Sequence, residues 1–250
     1  YTVYNTLSLH DALPISRGIL RDLAPLRVGR HGQLQEWGED YDEAEPGHRH
    51  VSHLFGLYPG DQLTFETAPD LARAAGVSLE RRLAAKGGHT GWSRAWTVCL
   101  LARLGQGQAA REHLRHLMTD FATVSLLDLH PPRIFQIDGN LGGCAGVVEM
   151  LLQSHGGTVR LLPALPPAWE RGRFAGLRAR GGFVVDASWS DGRPTEAAVR
   201  SARGGPCRIA ARGAGAAAVV CDGAPARCLR LGPDMIELAT DPGRTYSLTW

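Results

Sequence analysis

Lysine is almost absent from this sequence: Lys86 is the only one among 27 basic residues. So strong a preference for arginine reads as a GC-rich coding sequence rather than as a functional signal. A surplus of charge is also lacking. The 27 basic side chains face 25 acidic ones, a formal net charge of +2, which argues against the basic stripe of a nucleic-acid binder. No apolar run approaches the ~18–20 residues that a helical membrane span needs. Cysteines number five, an odd count, and none stands in a CxxC pair, which argues against a zinc knuckle or a redox motif. Cys99 and Cys144 sit in apolar helical contexts and read as core residues, whereas Cys221 and Cys228 are spaced for a hairpin pairing that the sequence does not decide.

What is present suits a folded chain. Hydrophobic residues make up 44% and charged residues 21%, enough apolar surface for a core and too little charge for disorder. At roughly 100–200 residues per domain, 250 residues allow one large or two modest domains. Histidine marks the division. All ten lie between His10 and His155, and none follows.

Before that boundary the pattern is helical. In 68–85, Leu71, Ala75, Leu79 and Leu83 recur every four residues, and Pro69 suits a first helical turn. Segment 91–104 is apolar nearly all round, the mark of a buried helix. Further helices are expected over 106–119 and 141–154. Antiparallel helices joined by loops suggest a bundle or toroid, and four or five are too few to close one. From 156 onward, short apolar stretches alternate with Gly and Pro at 159–162, 182–189, 216–221, 235–238 and 245–249. Phe183, Val185, Ala187 and Trp189 alternate with more polar neighbours, the period of a half-buried strand in a small β-sandwich. Residues 1–16 fit neither half. They lack the basic start and apolar run of a signal peptide, and Leu7–Ser16 reads as translated adapter sequence rather than native protein.

Three clusters carry candidate chemistry. The first runs from Glu36 through Trp37, Glu39, Asp40, Asp42 and Glu43 to Gly47–His48–Arg49–His50–Val51–Ser52–His53. An acidic stretch followed by three histidines and an arginine suits a polar wall for a hydroxyl-rich ligand. A three-histidine metal site is the weaker reading, because the spacing is not HExxH, and a structural role in cross-linking loops competes with both. The second is Gly87–Gly88–His89–Thr90–Gly91–Trp92, a Gly-rich turn that delivers an indole to a helix start, where it can meet the C–H face of a sugar. Trp96, four residues on, reads as core, and a phosphate loop is disfavoured because GxxxxGK[ST] is absent. The third is Arg133–Ile134–Phe135–Gln136–Ile137–Asp138–Gly139–Asn140. Asp138 is placed either to act as a base or to cap a helix beginning near Asn140, and Asn140 is itself the better-placed cap, which leaves Asp138 free.

These clusters, in this order, resemble glycoside hydrolase family 95, the 1,2-α-L-fucosidases and their relatives. The residues that carry the resemblance are EWGEDYDEAEPGHRHVSHLFGLYPG (36–60), GGHTGWSRAWTVCLLARLGQG (87–107), HPPRIFQIDGNLGGCAGVVEMLLQSH (130–155) and LLPALPPAWERGRFAGLRARGGFVVDASW (161–189). It covers 17–201 well and the tail more loosely. The resemblance implies an α + β multidomain chain: the second half of an (α/α)6 catalytic barrel over 17–155, then a C-terminal β-sandwich domain over 156–250, together the last third of a larger enzyme. It implies hydrolysis of terminal α-L-fucosyl linkages with inversion, on a fucosylated oligosaccharide or glycan and with no cofactor. By position Asp138 resembles the family's aspartate that supports a water held by two asparagines. Arg49 and His50 resemble sugar-contacting residues, with Thr90, Trp92, Gln136 and Asn140 as further candidates for the pocket wall. The family's general-acid glutamate and asparagine pair lie upstream of the matched region, so this chain alone is expected to be inactive. An α-L-galactosidase of the same family and a non-catalytic carbohydrate-binding or structural helical module are the competing readings. The location that the resemblance implies is export to the periplasm or outside, with an intracellular setting the alternative.

Overall fold

The computed structural model describes residues 18, 19 and 22–250; the segment 1–16, read above as non-native, lies outside the described residues. Among the elements described in full, four α-helices precede the sheets: α1 (Pro69–Ala84), α2 (Gly91–Arg103), α3 (Gly107–Asp120) and α4 (Ile137–Leu151). A short 3-10 turn, Ser52–Gly56, precedes them, and a two-stranded hairpin, β1 (Leu129–His130) with β2 (Ile134–Phe135), lies between α3 and α4.

Local chemistry sets the helix ends. Pro69 fits the first turn of α1, where its missing N–H costs nothing, and Asp70 sits beside the positive end of the helix. Thr90 and Ser93 form a reciprocal capping box on α2, each side chain bonded to the other's backbone N–H. Gly105 takes the chain out of α2 in the left-handed region, at φ +72°. The expected fourth helix is displaced. It starts at Ile137 rather than near Asn140, and it ends at Leu151 because Leu152 turns extended. Asn140 is therefore inside the first turn and is not the cap.

Helix α2 is the hub of this half. Val98, Leu100 and Leu101 are buried in a core shared with Leu54, Leu57, Leu63, Leu79 and Met150. Helix α4 lies close against it because glycines face the contact. A Cβ at Gly146 would stand 2.7 Å from Val98 Cγ1, and one at Gly143 would stand 2.9 Å from Leu117 Cδ2 on α3. Trp96 donates its indole N–H to the Tyr58 carbonyl at 2.9 Å and packs against this core, as its spacing predicts. Arg103 is buried at the other end of α2. It donates to Glu149 at 2.6 Å and to the carbonyls of Leu57 and Gly60 at 3.2 and 3.0 Å, tying α2, α4 and the loop after the 3-10 turn together.

Strand β3 (Leu152–His155) follows α4 without a linker. With β4 (Thr158–Leu161), β8 (Gly205–Ala210), β11 (Cys228–Gly232) and β12 (Met235–Thr240) it forms a five-stranded sheet in the order β11-β12-β8-β4-β3. A six-stranded sheet in the order β10-β9-β13-β7-β6-β5 contains β5 (Gly172–Ala179), β6 (Phe183–Ser190), β7 (Arg193–Ser201), β9 (Ala218–Cys221), β10 (Ala224–Pro225) and β13 (Thr245–Thr249). Val159, Ile209, Ile236 and Leu238 from one sheet share a core with Val185, Val199, Tyr246 and Leu248 from the other, which is sandwich packing. The alternation read in the sequence holds: Phe183, Val185, Ala187 and Trp189 all point inward. Cys221 and Cys228 are free thiols.

The two halves meet across a polar and apolar seam. Gln153 donates to the carbonyls of Ala102 and Glu149 at 2.9 and 3.0 Å, and Arg160 pairs with Glu66 at 2.7 Å. Arg103→Ala removes the partner of Glu149, whose side chain is 15% exposed. Breaking a buried ion pair from one side costs about 3–5 kcal/mol. The variant is expected to melt well below the wild type by circular dichroism, and an unchanged melting temperature would refute this role for Arg103.

Candidate functional site

The sequence clusters converge where α2 and α4 begin. Asp128, in the loop between α3 and β1, is 2% exposed. A Cβ at Gly91 or at Gly139 would overlap its carboxylate, so the first turns of both helices abut this one side chain. Trp92 follows Gly91 on α2, and Asp138 precedes Gly139 on α4. These two residues, 46 apart in numbering by subtraction of 92 from 138, thus stand at neighbouring helix starts.

The loop holding Asp128 is pinned through its backbone. Its N–H donates to Asn140 Oδ1 at 2.9 Å, and its carbonyl accepts from the Gln136 N–H at 3.2 Å. Asn140 Nδ2 donates to the Leu126 carbonyl at 2.6 Å. Both ends of the Asn140 amide are therefore engaged by this loop. Asp138 is exposed, and its carboxylate makes no hydrogen bond or ion pair among the described residues, which leaves it open to accept a proton from water. Gln136 Oε1 is buried without a hydrogen-bond partner among the described residues. Thr90 is buried and spends its hydroxyl on the α2 cap.

On the other side of Trp92 lies the histidine cluster. The His50 ring meets the Trp92 indole edge-on with centroids 5.1 Å apart, and it meets His48 at 5.0 Å. The His50 N–H also donates to His48 Nδ1 at 3.1 Å. His50 is exposed, yet partial desolvation, with His48 and Arg49 nearby, lowers its pKa, which favours the neutral ring with one acceptor nitrogen. Arg49 is half-buried, and its guanidinium has no partner among the described residues. Arg49, His50, Trp92 and Asp138 are thus the members of the expected set whose polar groups or ring faces remain available; Thr90, Asn140 and the backbone of Gln136 hold structure together.

A cavity of about 570 Å³ opens beside this cluster. His48, His50, Glu36, Trp37 and Tyr41 are among its lining, with Trp37 and Tyr41 well exposed. Its floor is an ion-pair network. Arg82, buried, pairs with Glu36 at 2.5 Å, lies 3.8 Å from Glu43 and donates to the Glu45 carbonyl at 2.9 Å. Arg81 holds Glu43 from the other side at 3.3 Å. Glu36 and Glu43 are therefore both tied to arginines. Among the described residues no group of three or more His, Cys, Asp or Glu is placed to hold a metal ion. Sequence reasoning missed Asp128 and Arg82. Asp128 sits in an unremarkable LLDLH, and Arg82 looks like one more polar residue of an amphipathic helix.

A model of the glycosyl hydrolase family 95 catalytic domain matches residues 9–151, and one of the family's C-terminal domain matches residues 153–248. The chain belongs to glycoside hydrolase family 95. The change from one family-95 domain to the other falls at the junction of α4 and β3. Over 213 residues this family-95 chain is 39% identical to "Alpha-L-fucosidase 2" of Arabidopsis thaliana, covering 80% of the chain and 25% of the relative. It is 34% identical to "Probable alpha-fucosidase A" of Aspergillus niger and 35% identical to that of Aspergillus oryzae, covering 66% of the chain each time and 23% and 26% of the relatives. The chain thus spans about a quarter of the length of the curated relatives it matches.

His53 gives this site a pH signature. Burial and the Arg82 charge lower its pKa to about 4, and its Nδ1 has no hydrogen-bond partner among the described residues. A histidine depressed in the folded state adds stability above its unfolded value of about 6.5, and that stability drains as pH falls toward the folded value. The melting temperature is expected to drop between about pH 6.5 and 4, and His53→Gln should flatten part of that drop; an identical slope in the variant would refute it.

Proposed function

We propose that this chain is the C-terminal part of an α-L-fucosidase that cleaves terminal 1,2-α-L-fucosyl linkages with inversion, with Asp138 supporting the attacking water. The observation that carries this reading is that Gly91 and Gly139 abut the same Asp128 side chain, which brings together the helix start bearing Trp92, edge-on to His50, and the helix start bearing the exposed Asp138. Inversion needs one carboxyl to protonate the leaving oxygen and, about 6.5–9.5 Å away, a base that directs water to the opposite face of the ring. Asp138 supplies the basic side. It sits in the first turn of α4, beside the positive end of the helix. Trp92 offers an apolar face to the ring, while neutral His50 and the unpaired Arg49 offer an acceptor and donors to its hydroxyls.

In this reading the general acid and the asparagines that hold the water belong to a preceding stretch of a longer enzyme. The four helices are then part of an (α/α)6 barrel over 17–155, followed by the β-sandwich domain over 156–250. The surface of the helical half supports that arrangement. Met118, Leu126, Ile134, Phe135, Ile137 and Leu141 are all exposed, and an apolar groove of about 230 Å³ runs between α3 and α4. A face this apolar at the end of a packed helix pair is what neighbouring barrel helices would cover.

The test uses a chain extended to the length of its relatives. Asp138→Asn is expected to lower kcat on a 2'-fucosyl oligosaccharide by about 10²–10⁴-fold, the usual range for loss of acid–base assistance, with melting unchanged. A normal rate with a lowered melting temperature would make Asp138 a purely structural residue. The 250-residue chain alone is expected to release no fucose, and measurable release would overturn the assignment of the acid to a preceding segment. Parallel assays with an α-L-galactosyl substrate read out the alternative sugar.

A further inference from the structure

Asp128 is a costly residue to keep. Its carboxylate is buried, neither oxygen has a hydrogen-bond partner among the described residues, and it excludes a side chain at both Gly91 and Gly139. Transfer of an unpaired carboxylate out of water is strongly unfavourable. Packing alone does not account for it, since an apolar side chain of similar size would fill the same space without that cost. What offsets part of the cost is its place: the amide ends of α2 and α4, with 13 and 15 residues, both abut it, and helix starts favour negative charge. The two turns that it touches carry Trp92 and Asp138, the platform and the base of the proposed site.

We propose that Asp128 is a positioning residue, a buried anionic spacer that aligns the turn carrying Trp92 with the turn carrying Asp138. This rests on the sugar-cleaving reading above for its purpose, though not for its geometry. The spacing works in both directions. The carboxylate fixes how closely α2 and α4 approach at this end, while Gly142, against Ala95, and Gly146, against Val98, let them close further along. Without the charge, neither helix start has an anion between them to hold their separation.

The groups that face Asp128 set its behaviour with pH. Burial pushes its carboxyl above the ordinary range, and the charge of Asp138 pushes the same way; the Leu129 amide and His130 oppose them. A carboxyl raised in the folded state destabilises the fold once it ionises, so stability is lost as pH rises through its folded value. Placement of the site therefore comes at a cost in stability, the reverse of what a purely structural carboxylate does.

Asp128→Asn keeps the shape and removes the charge. Three readings on a chain extended to the length of its relatives test it: thermal melting at pH 7, the pH titration of the Trp92 indole N–H resonance (assigned with Trp92→Phe), and titration with L-fucose. Asp128→Asn is expected to melt no lower than the wild type, to lose the acidic titration of the Trp92 resonance, and to bind L-fucose at least about tenfold more weakly, a difference of about 1.4 kcal/mol. Asp138→Asn is expected to retain the Trp92 titration with a lower midpoint, because a repelling charge is gone. A lowered melting temperature with the Trp92 titration and the fucose affinity intact would overturn the proposal. If the wild type binds no L-fucose, the sugar assignment fails, and the Trp92 titration still decides the role of Asp128. Asp128→Ala serves as the second variant should Asp128→Asn not fold, and persistence of the Trp92 titration in it would equally refute the inference.

Discussion

The close approach of α2 and α4 is the constraint on which the rest of the structure depends. Two helices meet at this distance only where one of them gives up side chains, and α4 does so at Gly139, Gly143 and Gly146. Val98 fills the space left at the middle of the contact, Leu117 of α3 packs against Gly143 beside it, and Asp128 fills the space at the start. Because the helices run together along their length, their first turns are brought side by side. Residues far apart in the chain then share one surface, and Trp92 carries that surface on to His50 and the cavity beyond it.

The polar interior divides into two kinds of cluster. Arg82 with Glu36 and Glu43, and Arg103 with Glu149, are buried charges met by opposite charges, and each ties separate segments together. Asp128, His53 and Gln136 instead retain buried polar atoms without hydrogen-bond partners among the described residues. The paired groups lie beneath the cavity and at the far end of α2, whereas Asp128 and Gln136 border the starts of α2 and α4. Buried polar groups are normally satisfied, and the exceptions mark places shaped by something other than stability.

Much of the fold was legible from periodicity. The stripe of Leu71, Ala75 and Leu79 gave α1 within a residue or two of its ends, and the alternation from Phe183 to Trp189 gave β6. Strands β5, β7 and β8 were missed because exposed arginines and small residues blur their period. The start of α4 was misplaced for a related reason. Asn140 has the side chain of a good cap, but its amide bonds the 126–128 loop, a partner that only the folded chain brings near. Candidate residues in dense motifs, such as Arg49 and His50, stand out in the sequence. Asp128 does not, since its significance comes from Gly91 and Gly139, which only the folded chain brings against it.

The passage from α4 into β3 has a mechanical consequence. Leu151 closes the helix, Leu152 opens the strand, and the Leu162 N–H ties back to the Leu151 carbonyl at 2.8 Å. A junction of this kind has no slack and cannot serve as a swivel. With Gln153 clamped to Ala102 and Arg160 to Glu66, the sandwich acts as a buttress bolted to the far end of α4. Any torque on the sheets is delivered along that helix to its opposite end, where Asp138 stands.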